Sequence, residues 1–214
     1  RQLASVLDEL LQQAYLNDMG SAESRRIIEE SLIEITYHSS HASNGLLITD
    51  NGYFLTAKHC LDHDLREIGI RLSDGREYEI EKACAVGNAY DIGLGKARVP
   101  GKPHPKRLRF YDPENVEKTA VALMTRRDDK LYTSYGFIDR FSTSTMTASG
   151  GRYFGHLGLY GFNSRPGDSG GVVLSQDGKI MGIHSASGSH GSTAVQAFQA
   201  LRLIEWYKGR LQER

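Results

Sequence analysis

Gly161-Phe162-Asn163-Ser164-Arg165-Pro166-Gly167-Asp168-Ser169-Gly170-Gly171 is poor material for a helix or a regular strand. Glycine permits backbone geometry and close approach that other residues resist, so this run suits a tight loop presenting one hydroxyl and several N–H groups to a ligand. Two stretches upstream complement it. Ala57-Lys58-His59-Cys60 follows an apolar strand-like run, and Tyr90-Asp91-Ile92-Gly93-Leu94 sets an acid beside alternating apolar positions. The chain therefore offers a base, an orienting carboxylate and a nucleophile in the order His59, Asp91, Ser169.

The bulk properties narrow the field. A chain of 214 residues can bury a core as one domain or two lobes, and its formal net charge is +0. No sustained basic run or basic amphipathic face points to nucleic acid or an anionic membrane. The basic cluster at 102–109 is broken by Pro103 and Pro105 and reads as a solvated linker. No apolar run is long enough to span a bilayer, and residues 1–20 lack the apolar core of a secretory signal. Two cysteines, Cys60 and Cys84, make no disulfide framework, which favours a reducing compartment such as the cytoplasm. No cofactor or metal is called for.

Outward from the serine loop, the periodicity is mostly that of strands. Leu3, Val6, Leu7, Leu10, Leu11 and Ala14 first recur at helical spacing, predicting an amphipathic helix that ends near 17–20. Its apolar stripe must cover the body of the protein or dock a partner or a further domain of a parent protein. A short helical pattern at 24–30 leads into an alternating strand at 31–37. Strands follow at 46–48 and 53–57 around the turn Asp50-Asn51-Gly52, then at 68–72 and 77–86 around Ser73-Asp74-Gly75. Four of the five prolines, Pro100, Pro103, Pro105 and Pro113, mark an inter-lobe connection. Residues 120–124 and 131–138 read as strands, 142–151 as a surface loop or exposed hairpin, 172–174 and 179–184 as a hairpin, and 199–211 as a closing helix.

The motifs Thr56-Ala57-Lys58-His59-Cys60, Asp91-Ile92-Gly93-Leu94 and Gly167-Asp168-Ser169-Gly170-Gly171 together resemble the three signatures of the trypsin/chymotrypsin-like serine peptidases, in that family's order. The likeness runs from about Ser31 to the closing Ile204-Glu205-Trp206-Tyr207-Lys208. It implies an all-β fold of two antiparallel six-stranded barrels, the chymotrypsin-like double barrel, with an N-terminal helical extension and a C-terminal helix. The expected units are 1–30, 31–110, 111–198 and 199–214. It also implies peptide-bond hydrolysis through an acyl-enzyme, with protein or peptide as substrate. His59 is then general base, Asp91 its orienting acid and Ser169 the nucleophile, with the N–H groups of Gly167 and Ser169 as oxyanion hole. Asp62 and Asp64 are rival carboxylates near His59; the residues flanking Asp91 match the family pattern better.

Two departures shape the expectation. The half-cystine partner upstream of Cys60 is missing, and no Ile-Val-Gly-Gly start is present. In zymogen-activated members a freed amino terminus pairs with the aspartate at the place of Asp168, so here an internal Arg or Lys, or another trigger, must serve. The resemblance also carries a primary pocket. At its base stands Asn163, which offers no counter-charge to Arg or Lys. His184, on the lining strand with Ser185 and Ser187, together with the small hydroxyl residue Ser164 of the serine loop, resembles the pocket of glutamyl endopeptidases and 3C-like viral peptidases, implying Glu or Gln at P1. An imidazole N–H and hydroxyls can hold a side-chain oxygen that an aliphatic P1 residue would leave unpaired. A less selective HtrA-like protease and a latent protease-like binding module are the competing readings.

Overall fold

The computed structural model describes residues 2–13, 21–87, 89–111, 119–146, 152–188 and 191–213. Twelve strands fall into two closed antiparallel barrels. β1 (Leu32–Tyr37), β2 (Ser40–Leu47), β3 (Tyr53–Thr56), β4 (Ile68–Arg71), β5 (Glu77–Gly87) and β6 (Ile92–Ala97) close in the order β1-β2-β3-β6-β5-β4. β7 (Ala120–Arg127), β8 (Lys130–Met146), β9 (Arg152–Tyr160), β10 (Val172–Ser175), β11 (Ile180–Gly188) and β12 (Gly191–Gln196) close as β10-β11-β12-β9-β8-β7. Closure through the β1–β4 and β7–β10 pairings leaves no open end of either sheet among the described residues. Ile33, Ile35, Phe54 and Ile70 fill the first barrel, and Leu123, Ile138, Leu157 and Val173 the second. A third, larger cluster joins the two through Leu46, Leu55, Val172 and Ile183.

That shared core explains the helices. α1 (Gln2–Gln13) and α2 (Ser21–Ser31) precede the first barrel, and α3 (Ala197–Gln212) follows the second. Leu7 and Leu10 of α1 are fully buried in the same cluster as Leu201 and Ile204 of α3, and Lys208 Nζ reaches Asp8 Oδ1 at 2.5 Å. The apolar stripe of the N-terminal helix is thus covered by the chain itself. Helix ends leave carbonyls without intrahelical partners. At the end of α2, buried Arg126 of β7 meets this need, donating Nη2 to Glu29 O at 3.0 Å and Nε to Leu32 O at 3.2 Å.

The structure departs from the sequence expectations in places. β2 begins six residues earlier than the apolar run, at Ser40, and β9 and β12 carried no strand pattern at all. Residues 142–146 continue β8; the rest of that segment, Pro113, and the expected end of the first helix lie outside the described residues. The basic connection is seated rather than solvated, with Leu108 and Phe110 buried in the shared core and Lys106 Nζ 2.5 Å from Asp50 Oδ1. Both cysteines are free, and burial pushes the Cys84 thiol up.

Candidate active site

His59 lies on a single 3-10 turn, Lys58–Leu61, directly after β3, and Asp91 stands just before β6. Strands β3 and β6 pair with Thr56 opposite Gly93, which brings the two residues together. The carboxylate of Asp91 is 1% exposed and fully partnered. Oδ1 accepts the His59 backbone N–H at 3.1 Å, and Oδ2 accepts His59 Nδ1 at 2.9 Å together with the Ser185 hydroxyl. A carboxylate only accepts, so Nδ1 carries the proton and Nε2 keeps its lone pair in the neutral ring. Burial works against protonating His59, but its hydrogen bond to Asp91 and the neighbouring Cys60 outweigh it and raise the ring above its ordinary range. The rival carboxylates are engaged elsewhere: Asp62 with Lys58 at 3.1 Å and Asp64 with Arg66 at 2.6 Å.

Ser169 sits on the loop between β9 and β10. Its hydroxyl donates to Ser185 O at 2.9 Å rather than to His59. Gly170 has φ +80°, and a Cβ there would lie 1.8 Å from Asn44 O, so only glycine lets the loop press against β2. The Asp168 N–H bonds Arg165 O at 3.0 Å, whereas the N–H groups of Gly167 and Ser169 make no backbone hydrogen bond among the described residues. An oxyanion-binding N–H must likewise be left without such a partner.

The acid beside the serine finds an internal partner. Arg127 at the end of β7 donates Nη2 to Asp168 Oδ1 at 3.0 Å, and the Arg165 N–H donates to Oδ2 at 2.6 Å. Asp168 is buried, whereas the Arg127 side chain stays 27% exposed, so the carboxylate end of the pair is the one withdrawn from water. Of the expected pocket residues, Ser164 and Ser187 come together, their hydroxyls 2.7 Å apart. Ser192 on β12, which sequence reading missed, bonds Ser164 as well. Its Ser-Thr surroundings give no strand or pocket signal in the sequence. His184 is fully buried on β11, and neither ring nitrogen has a hydrogen-bond partner. Burial, against the pull of Asp168, pushes it down to about 4, so its ring is neutral at neutral pH. Asn163 instead lines a cavity of about 170 Å³ with Arg127 and Asp168, and the Ser185 hydroxyl turns to Asp91 rather than to the serine cluster.

Residues 43–183 match the sequence family described as trypsin-like peptidase domain. The chain belongs to that family, and its two closed barrels are the chymotrypsin-like double barrel. A probable periplasmic serine endoprotease, DegP-like, of Pseudomonas fulva is 29% identical over 147 residues, which is 66% of this chain but 28% of that relative. The chain therefore spans little more than a quarter of that relative's length. Among solved structures, the MamO protease domain of Magnetospirillum magneticum superposes with a TM-score of 0.68 at 15% identity, over 82% of this chain and 96% of that one. The serine endoprotease of Yersinia pestis gives 0.64 at 18% identity, over 91% and 68%. At these identities the two structures speak to the fold.

Proposed function

We propose that the chain is a serine endopeptidase in which Ser169, deprotonated by His59 Nε2, attacks the scissile carbonyl, the C–N bond then breaks as His59 returns that proton to the leaving amine, and water hydrolyses the acyl-enzyme to free Ser169. The observation that carries this reading is the Asp91 carboxylate gripping His59 at both its backbone N–H and Nδ1. Asp91 fixes the tautomer and stabilises the imidazolium formed during attack. The hydroxyl must turn from Ser185 O to His59 first, a rotation between staggered side-chain wells. Resting hydrogen bonds of this kind commonly realign when substrate binds. The N–H groups of Gly167 and Ser169 then take the oxyanion.

For P1, the reading is Glu or Gln, held by the Ser164 and Ser187 hydroxyls with Ser192 behind them and by the unpartnered nitrogens of His184. Asn163 supplies no counter-charge for Arg or Lys. Incubation with a fluorophosphonate, with Ser169→Ala as control, should give one covalent adduct on Ser169. A folded protein that takes no label is a latent binding module, the reading that the resting Ser169–Ser185 hydrogen bond favours. A peptide library cut best after Arg, Phe or Leu sinks the specificity, and indifferent cleavage favours the broader HtrA-like protease. His184→Ala should lower kcat/KM for Gln and Glu peptides far more than for an Ala peptide.

A further inference from the structure

The two candidate oxyanion donors belong to the peptide units on either side of the Gly167–Asp168 peptide. That middle unit is held at both ends. Its N–H is taken by Arg165 O, and its carbonyl, Gly167 O, accepts Asn44 Nδ2 at 2.9 Å and faces His41 Nε2 at 3.0 Å. Both side chains come from β2, in the opposite barrel. Asn44 is fully buried, and its Oδ1 accepts the Arg126 N–H at 2.6 Å, which fixes the amide so that Nδ2 faces Gly167. The other nitrogen of His41 lies 3.2 Å from Glu34 Oε2. Carbonyl and carboxylate both only accept, so the His41 ring joins its two neighbours as a donor, one nitrogen facing each.

Glu34 reaches further. Its carboxylate, 0% exposed, also accepts the N–H groups of Asp128 and Asp129 at 3.0 and 2.8 Å. These two residues, both at positive φ, form the turn between β7 and β8, and the residue before them is Arg127, the partner of Asp168. One buried acid therefore braces the His41 anchor of the oxyanion loop and the hairpin that carries the Arg127 anchor. Arg71 Nη1, at 3.6 Å, sets a positive charge beside it.

We infer that Glu34, His41 and Asn44 are positioning residues that hold the Gly167–Asp168 peptide, and with it the flanking N–H groups, in oxyanion-binding geometry without a freed amino terminus. The inference rests on Ser169 being the nucleophile. Its test uses variants that keep shape and change one atom's role. Asn44→Asp retains the acceptor for Arg126 and turns the donor into a carboxylate oxygen facing Gly167 O. His41→Asn keeps a donor toward Glu34 and loses the one toward Gly167; His41→Gln keeps the latter.

Loss of one oxyanion donor costs about 100- to 1,000-fold in kcat, so a displaced donor should cost about 10- to 100-fold. Asn44→Asp and His41→Asn should show that fall in kcat with KM changed by less than about threefold and weaker binding of a peptide boronate, which binds as a tetrahedral adduct. His41→Gln should stay near wild type. In the Ser169→Ala background, the amide NMR resonances of Gly167 and residue 169 should move in the first two variants and not in the third. Wild-type kcat and unmoved resonances in folded Asn44→Asp and His41→Asn overturn the inference. Folded wild-type protein that is never phosphonylated overturns the peptidase reading instead, and the resonances, which need no turnover, still decide whether these residues hold the loop.

Discussion

The Ser185 hydroxyl donates to the carboxylate oxygen that also takes His59 Nδ1, while its carbonyl receives the Ser169 hydroxyl, so one residue touches both ends of the proposed triad. Against burial, the hydrogen bond to Asp91 is the largest influence raising the His59 ring. Because His59 is held above its ordinary range, its base form fills only as pH rises through that raised ionisation, and kcat/KM should climb on the alkaline side of neutrality. Asp91→Asn should shift that limb to lower pH and cut kcat by about 10,000-fold, since the amide can select the wrong tautomer. A pH–rate profile of both proteins checks it. His184 behaves oppositely. Burial pushes both it and His156 down to about 4, so between that value and the ordinary 6.5 the unfolded chain binds protons that the native state does not. Stability should therefore fall as pH drops from about 6.5 to 4, by up to about 1.4 kcal/mol per pH unit for each ring. Urea midpoints at pH 7 and pH 5 measure it, and His184→Leu should reduce the slope.

At the scale of elements, Arg126 carries the N-terminal helices onto the second barrel by filling the end of α2. Arg126→Met leaves buried carbonyls without their donor and should lower stability by about 2–4 kcal/mol in urea unfolding, with little change at Ser169. The strands that the sequence made legible are those whose burial alternates or runs apolar, such as β1, β3 and β7. β9 and β12 were not, because His156, Gly158 and the Ser192-Thr193 pair are ordered by cross-strand partners, not by their own propensity. The same division runs through the site. His59, Asp91 and Ser169 stand in short local motifs, so their places could be read directly. Arg127 could be anticipated only as some internal cation, and Glu34, His41 and Asn44 not at all, since their partners lie 94, 126 and 123 positions away in the chain. The one local hint was an acid set between two core isoleucines, Ile33 and Ile35. Ser185 shows the limit of pattern reading in another way. Its position in the hairpin after the serine loop is legible, but the direction of its hydroxyl is decided by a carboxylate on the other barrel.

Across the whole molecule, the largest core cluster is the one shared by both barrels and the helices. Leu10→Ala, at a fully buried α1 position in that cluster, should cost about 2–5 kcal/mol and lower the thermal midpoint, even though α1 lies outside both barrels. Asn44 crosses the same boundary at the point of the proposed chemistry. Its N–H binds Ser169 O at 2.7 Å, its amide nitrogen Gly167 O, and its amide oxygen the Arg126 N–H, all in the second barrel. The loop that carries Ser169 thus takes its shape from a surface that exists only after the two halves have met. During refolding from urea, far-UV circular dichroism should recover with barrel formation, and reactivity of Ser169 toward a fluorophosphonate should return later, in a separate docking phase.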